Sequence, residues 1–208
     1  MKFKILLIFV VISLAVFANG CARTVTPLVQ FGSEVVVEVS FRGNVNFSTN
    51  RYYMIIGSTE SYELPYYPDD FIEPGIPPQD PTYDPYRFYR SWQGYIVSDS
   101  SSNYFLVNGP FNNTSETYTR TNIGHVSGNI SNKIQFRFRL DQMFGTTVPD
   151  VMYFDVAAVD SQLTLRNHLQ PPSKYINTYQ GALIQGEDDV DSSVNSSLDI
   201  VSWKVFIQ

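Results

Sequence analysis

A single cysteine in 208 residues rules out any intrachain disulfide. Two histidines, His125 and His168, leave little material for a zinc site or a histidine-based triad. Neither stands in an H-E-x-x-H or similar spacing. Charged residues make up only 16%, and their balance is acidic, at −6. An acidic chain with few lysines is a poor nucleic-acid binder, because phosphate contacts need a basic patch. No G-x-S-x-G, P-loop or dinucleotide-binding glycine pattern occurs. Heptads, internal repeats and a second long apolar run are also missing. Helical periodicity is nearly absent beyond the first twenty residues.

What is there begins at the N-terminus. Lys2 and Lys4 precede an apolar run, Ile5 to Phe17, broken only by Ser13. That run is shorter than the roughly 20 residues a bilayer-spanning helix needs. It has the length and flanks of a signal-peptide core. Residues 1–20 are therefore expected to be a signal peptide. Ala18-Asn19-Gly20-Cys21 then resembles the lipobox of bacterial lipoproteins. Ala18 stands where that family usually has leucine, and Asn19 is a less common choice.

The resemblance implies cleavage before Cys21 and a covalent lipid on its thiol. A lone cysteine in a secreted chain points the same way, to a modified thiol. Two acyl chains suffice for stable anchoring. The implied location is the cell envelope, outside the cytoplasm. Ala22 lacks the aspartate that retains many such proteins at an inner membrane, which favours an outer membrane where the host has one. Loss of Lys2 and Lys4 takes the formal charge from −6 to −8.

Residues 21–32 read as a lipidated tether, and 33–208 as one domain large enough for a real core. The predicted class is all-β: a single antiparallel β-sandwich with a long Tyr/Pro-rich loop. Ser33 to Arg42 alternates Val35, Val37, Val39 and Phe41 with Val36, Glu38, Ser40 and Arg42, the period of a half-buried strand. Lys133 to Leu140 alternates still more cleanly. Arg51 to Gly57, Trp92 to Ser98 and Asn103 to Asn108 are further strands, the last two forming a hairpin.

Glu116 to Asn122 and Gly124 to Ile130 are weaker strand candidates. Asp141 to Gly145 suggests one helical turn. Val151 to Ala158 suggests a strand buried on both faces. Ser161 to Gly186 stays ambiguous, with Leu163 and Leu165 candidates for a short strand. Leu198 to Gln208 closes the chain, with Val201, Trp203, Val205 and Ile207 on its apolar face. This layout, with its "LDQMFG" exit, is similar to the sugar- and haem-binding sandwiches of the DOMON and family-9 carbohydrate-binding type. The likeness is one of fold alone.

Ser58 to Ser91 holds seven prolines, which exclude helix and central strand. It also holds eight Tyr and Phe residues, too many for a disordered linker. Tyr66, Tyr67, Tyr83, Tyr86, Tyr89 and Trp92 are candidates for a platform that stacks on sugar faces. The same rings would serve equally to pack the loop onto the sheet. Glu187, Asp188, Asp189 and Asp191 are candidates for calcium, though without the glycine-punctuated EF-hand spacing, and a solvated acidic loop is the alternative.

Glu60, Glu63, Glu73, Asp141 and Asp155 are the carboxylates available for glycoside hydrolysis. Asp155, amid Tyr153, Phe154 and Val156, is the most interesting, and its structural alternative is a hydrogen-bonded buried acid. DOMON-type haem ligation would need a Met–His pair, here Met152 and His168. Three functions follow in order: a non-catalytic binding module for carbohydrate or another envelope ligand, an envelope assembly component binding protein partners, and a hydrolase. Beyond the lipid and calcium no cofactor is expected, and nucleic acid is not an expected partner.

Overall fold

The computed structural model describes residues 33–60, 91–109, 111, 119–125, 131–169 and 174–208. Cys21, Tyr66, Tyr67, Tyr83, Tyr86 and Tyr89 lie outside them. Among the described residues, eleven strands and one short helix follow in order: β1 (Glu34–Phe41), β2 (Arg51–Gly57), β3 (Gly94–Ser98), β4 (Asn103–Asn108), β5 (Thr119–His125), β6 (Lys133–Arg139), α1 (Leu140–Phe144), β7 (Val151–Val159), β8 (Leu165–His168), β9 (Lys174–Asn177), β10 (Leu183–Glu187) and β11 (Ile200–Ile207).

They form two antiparallel sheets. The smaller runs β10-β11-β1-β6, and the larger β5-β4-β3-β2-β7-β8, with β9 also on β7. The chain is thus an all-β antiparallel sandwich. Its strands form where alternation supplies one apolar face. Val35, Val37, Val39 and Phe41 of β1 are buried between the sheets with Ile134, Phe136 and Phe138 of β6. Each side chain so buried is worth about 1.5–3 kcal/mol.

Ring contacts show which strands stack. Phe41 of β1 meets Tyr52 of β2 at 5.0 Å, Phe154 of β7 meets Trp203 of β11 at 5.8 Å, and Tyr104 of β4 meets Phe136 of β6 at 5.0 Å. β6 therefore lies opposite β4, and β5 projects past it. This explains the exposure of β5. Thr119 and Thr121 sit on the same side of the larger sheet as buried Leu106, yet both are exposed. Its sequence carries no amphipathic signal because nothing in the smaller sheet, among the described residues, covers it. Of the two weak strands expected over 116–130, the described residues cover 119–125, which form β5, and the rest lie outside them.

A second apolar layer lies on the outer face of the larger sheet, where Tyr53, Ile55, Tyr95, Val97, Val107, Ala157 and Val159 are all buried. Burial of β7 on both faces follows from it. Two local departures from alternation occur. A bulge at Ser40/Phe41 pairs Phe41 with Ile200, so Ile200 is buried and Val201 is only half-buried, contrary to the expected apolar face. Leu163, a candidate strand residue, instead takes φ 58° in a turn before β8. The Asp160 carboxylate organises that turn by accepting from the N–H groups of Gln162 and Thr164.

Gly186 on β10 has no side chain because Trp203 of β11 occupies the space. A Cβ there would lie 2.6 Å from the indole. Gly186→Ala should therefore cost about 1–3 kcal/mol by overpacking. Urea unfolding checks this, and an unchanged midpoint would mean that β10 yields freely.

Candidate functional site

Of the six proposed platform rings, only Trp92 is described. Its side chain is 5% exposed and meets Tyr95 edge-on at 5.7 Å. The ring belongs to the outer apolar layer, together with Phe111, which lies 5.9 Å from Tyr95.

The acidic residues after β10 do not converge. The Asp188 carboxylate accepts from the Asp189 N–H. The Asp191 carboxylate accepts from the hydroxyl and N–H of Ser193, which hold it below the usual carboxylate range. Among the described residues, no three His, Cys, Asp or Glu side chains gather as a metal site. The loop is instead fixed by a half-buried ion pair. Arg42 Nε donates to the fully buried Asp199 carboxylate at 2.6 Å, and its Nη2 donates to the Val194 and Asp191 carbonyls.

Asp155 is fully buried, as its apolar neighbours suggested. It lies at a break in the sheet edge. Residues 151–154 of β7 pair with β9 and 157–159 with β8, so Asp155 and Val156 fall between the two. Its Oδ1 accepts from the N–H groups of Val156 and Leu169, and its Oδ2 faces His168 Nδ1 at 3.4 Å. Burial pushes the Asp155 carboxyl up, with His168 and the two N–H groups pulling the other way. The Asp155 carboxylate raises His168 above its ordinary value, against burial.

Both shifts favour the protonated form of each group, across a carboxylate–imidazole separation of 3.4 Å. Lys174 and Asp188 are the other charges felt there. Met152 and His168 do not meet as a haem pair. Met152 points into the inter-sheet core, while Asp155, which engages His168, projects from the opposite face of β7. The Asp141 carboxylate is clasped by Arg139 at 2.5 Å. Glu60 is exposed, and Glu63 and Glu73 lie outside the described residues.

The concave feature with the most usable chemistry lies elsewhere. A recess of about 460 Å³ opens between β5 and β6, lined by Tyr104, Ile123, Gly124 and His125 on one side and Lys133, Ile134, Gln135, Arg137 and Glu38 on the other. That volume falls within the roughly 300–1,000 Å³ of ligand sites. Tyr104, Ile123 and Ile134 give it an apolar floor. Gln135 donates to Glu38, and Arg137 donates to Gln135 and Glu34. His125 Nδ1 lies 3.2 Å from Asn103 Oδ1.

Comparison with protein-family models, curated proteins and solved structures finds no match.

The site must be understood from its own geometry. Lys133 has no ion-pair partner among the described residues, so its charge is available to a ligand. Sequence reasoning placed Lys133, Gln135 and Arg137 on the outward face of their strand but did not mark them as a site. The alternation was visible. The neighbouring overhang of β5 was not, because it depends on which strands stack.

Proposed function

We propose that this chain is a bacterial envelope lipoprotein, held on a membrane by lipid at Cys21, whose β-sandwich is a non-catalytic binding domain. The recess between β5 and β6 is its ligand site. The observation that carries the reading is an amphipathic recess where Lys133, without an ion-pair partner among the described residues, lies beside an apolar floor. The Asp155–His168 pair is better explained as a structural lock, since the carboxylate is sealed from solvent and bonded to the Leu169 N–H. Among the described residues no helix is long and apolar enough to cross a membrane.

Two experiments test this. Cys21→Ser should abolish labelling by a fatty-acid analogue and move the protein out of the detergent-rich phase, as expected when the acyl chains that hold it are lost. Unchanged partitioning would contradict the anchor. The whole detergent-solubilised protein should bind isolated cell-wall polymer or envelope protein saturably, and Lys133→Glu should weaken that binding about tenfold. Equal binding by the variant would contradict the site. Turnover of a glycoside or ester that is lost in Asp155→Asn would contradict the non-catalytic reading.

A further inference from the structure

Among the described residues, β6 is the edge strand of the smaller sheet. Its ladder to β1 is bounded by Phe41 N–H donating to Asn132 O and Leu140 N–H donating to Ser33 O. By the two-residue period, residues 134, 136 and 138 bond to β1, while 133, 135, 137 and 139 turn their backbone groups outward. Two of those outward N–H groups are taken: Lys133 donates to Ser131 Oγ and Arg139 to Gln142 Oε1. The N–H groups of Gln135 and Arg137, and the carbonyls of residues 133–137 that face outward with them, have no partner among the described residues. This open edge runs along the recess, beneath the overhang of β5.

Among the described residues, no strand pairs with the outer edge of β6, opposite β5. Thr119 and Thr121, on the side of β5 that faces the smaller sheet, are exposed there. Its chemistry selects an occupant. Toward the interior lie Tyr104, Ile123 and Ile134, which suit apolar side chains. The Tyr104 hydroxyl is buried without a hydrogen-bond partner. Toward the outer face lie Lys133, which has no ion-pair partner among the described residues, and Arg137, already paired with Glu34, with Glu38 beside them. A strand that alternates apolar and acidic residues matches both faces.

We propose that the recess takes an extended peptide segment of a partner protein, added to the edge of β6 as a further strand, with apolar residues inward and acidic residues facing Lys133 and Arg137. The proposal rests on the reading of the recess as the ligand site and names the class of ligand. Main-chain hydrogen bonds to Gln135 and Arg137 supply affinity, and the cations set the preferred sequence.

The test uses the whole protein in detergent and a fluorescent heptapeptide, Glu-Val-Glu-Val-Glu-Val-Glu, with Lys in place of Glu as its control. The acidic peptide should bind saturably, and the control at least about tenfold more weakly, with affinity falling as salt rises. Gln135→Pro removes an outward N–H at an edge position that tolerates proline, and should weaken binding about tenfold. Lys133→Glu, a surface change that leaves the fold intact by circular dichroism, should do the same.

Absent or non-saturable binding of the peptide, or equal binding by both variants, overturns the strand proposal. Glycan binding lost in Lys133→Glu, with no peptide binding, overturns it while leaving the recess as the ligand site. Concentration-dependent dimers dispersed by Gln135→Pro would put a second copy there, and overturn it too.

Discussion

Arg42→Ala should cost about 3 kcal/mol, the low end of the range for breaking a buried ion pair, because Arg42 is itself 33% exposed. Its partner Asp199 is fully buried at the start of β11, with Asn167 and the Asp191 N–H as lesser contacts. The same guanidinium holds the 188–199 loop through two carbonyls, while the Arg42 and Gly43 N–H groups donate to Asp199 O and Ser196 O. Removing the side chain leaves a carboxylate in a site without its cation. For a domain of this size the midpoint of thermal unfolding should fall by about 6–12 °C. Arg42→Lys keeps the charge but not the fork, and should lose less. A loss below about 1 kcal/mol for Arg42→Ala would mean that Asp199 is held by its other contacts.

Asp155→Asn should give a pH-dependent loss. The carboxylate raises His168, so the folded protein keeps a proton that the unfolded chain releases near its ordinary value of about 6.5. The folded state then binds more protons, and stability falls as pH rises through the raised value. The contribution is fully present below about pH 6.5 and fades above it. Asparagine retains an oxygen for the Val156 and Leu169 N–H groups but cannot hold the proton. The gap between native protein and variant should be about 1.5–3 kcal/mol at low pH and should narrow toward pH 9. Urea titrations across that range check it. A gap that stays constant with pH would show that the pair does not share a proton.

Much of the sandwich was legible because alternation in β1, β6 and β11 directly encodes one buried face. The continuous apolar run of β7 likewise announced burial on both sides. The failures have physical causes. β5 carries only a weak period because, among the described residues, no layer covers it. Ile200 replaced Val201 in the core through a bulge, a register shift that composition does not reveal.

The site was less legible than the fold. Asp155 stood out among its apolar neighbours, but its partner His168 is brought near by the pairing of Ala157 with His168 across β7 and β8. The recess depends on β6 pairing with β1 and stacking under β4, contacts between segments about a hundred residues apart in one case. The aromatic platform over 66–92 was the most visible candidate by composition. Its one described member, Trp92, is packed into the outer layer.

The most direct measurement is an amide chemical-shift map of the nitrogen-15-labelled whole protein, titrated with solubilised cell-wall fragments and with the acidic heptapeptide. Shifts confined to residues 121–125 and 133–137 are expected if the recess is the ligand site. Shifts that instead centre on residues 92–111, or around Asp155 and His168, would contradict that assignment.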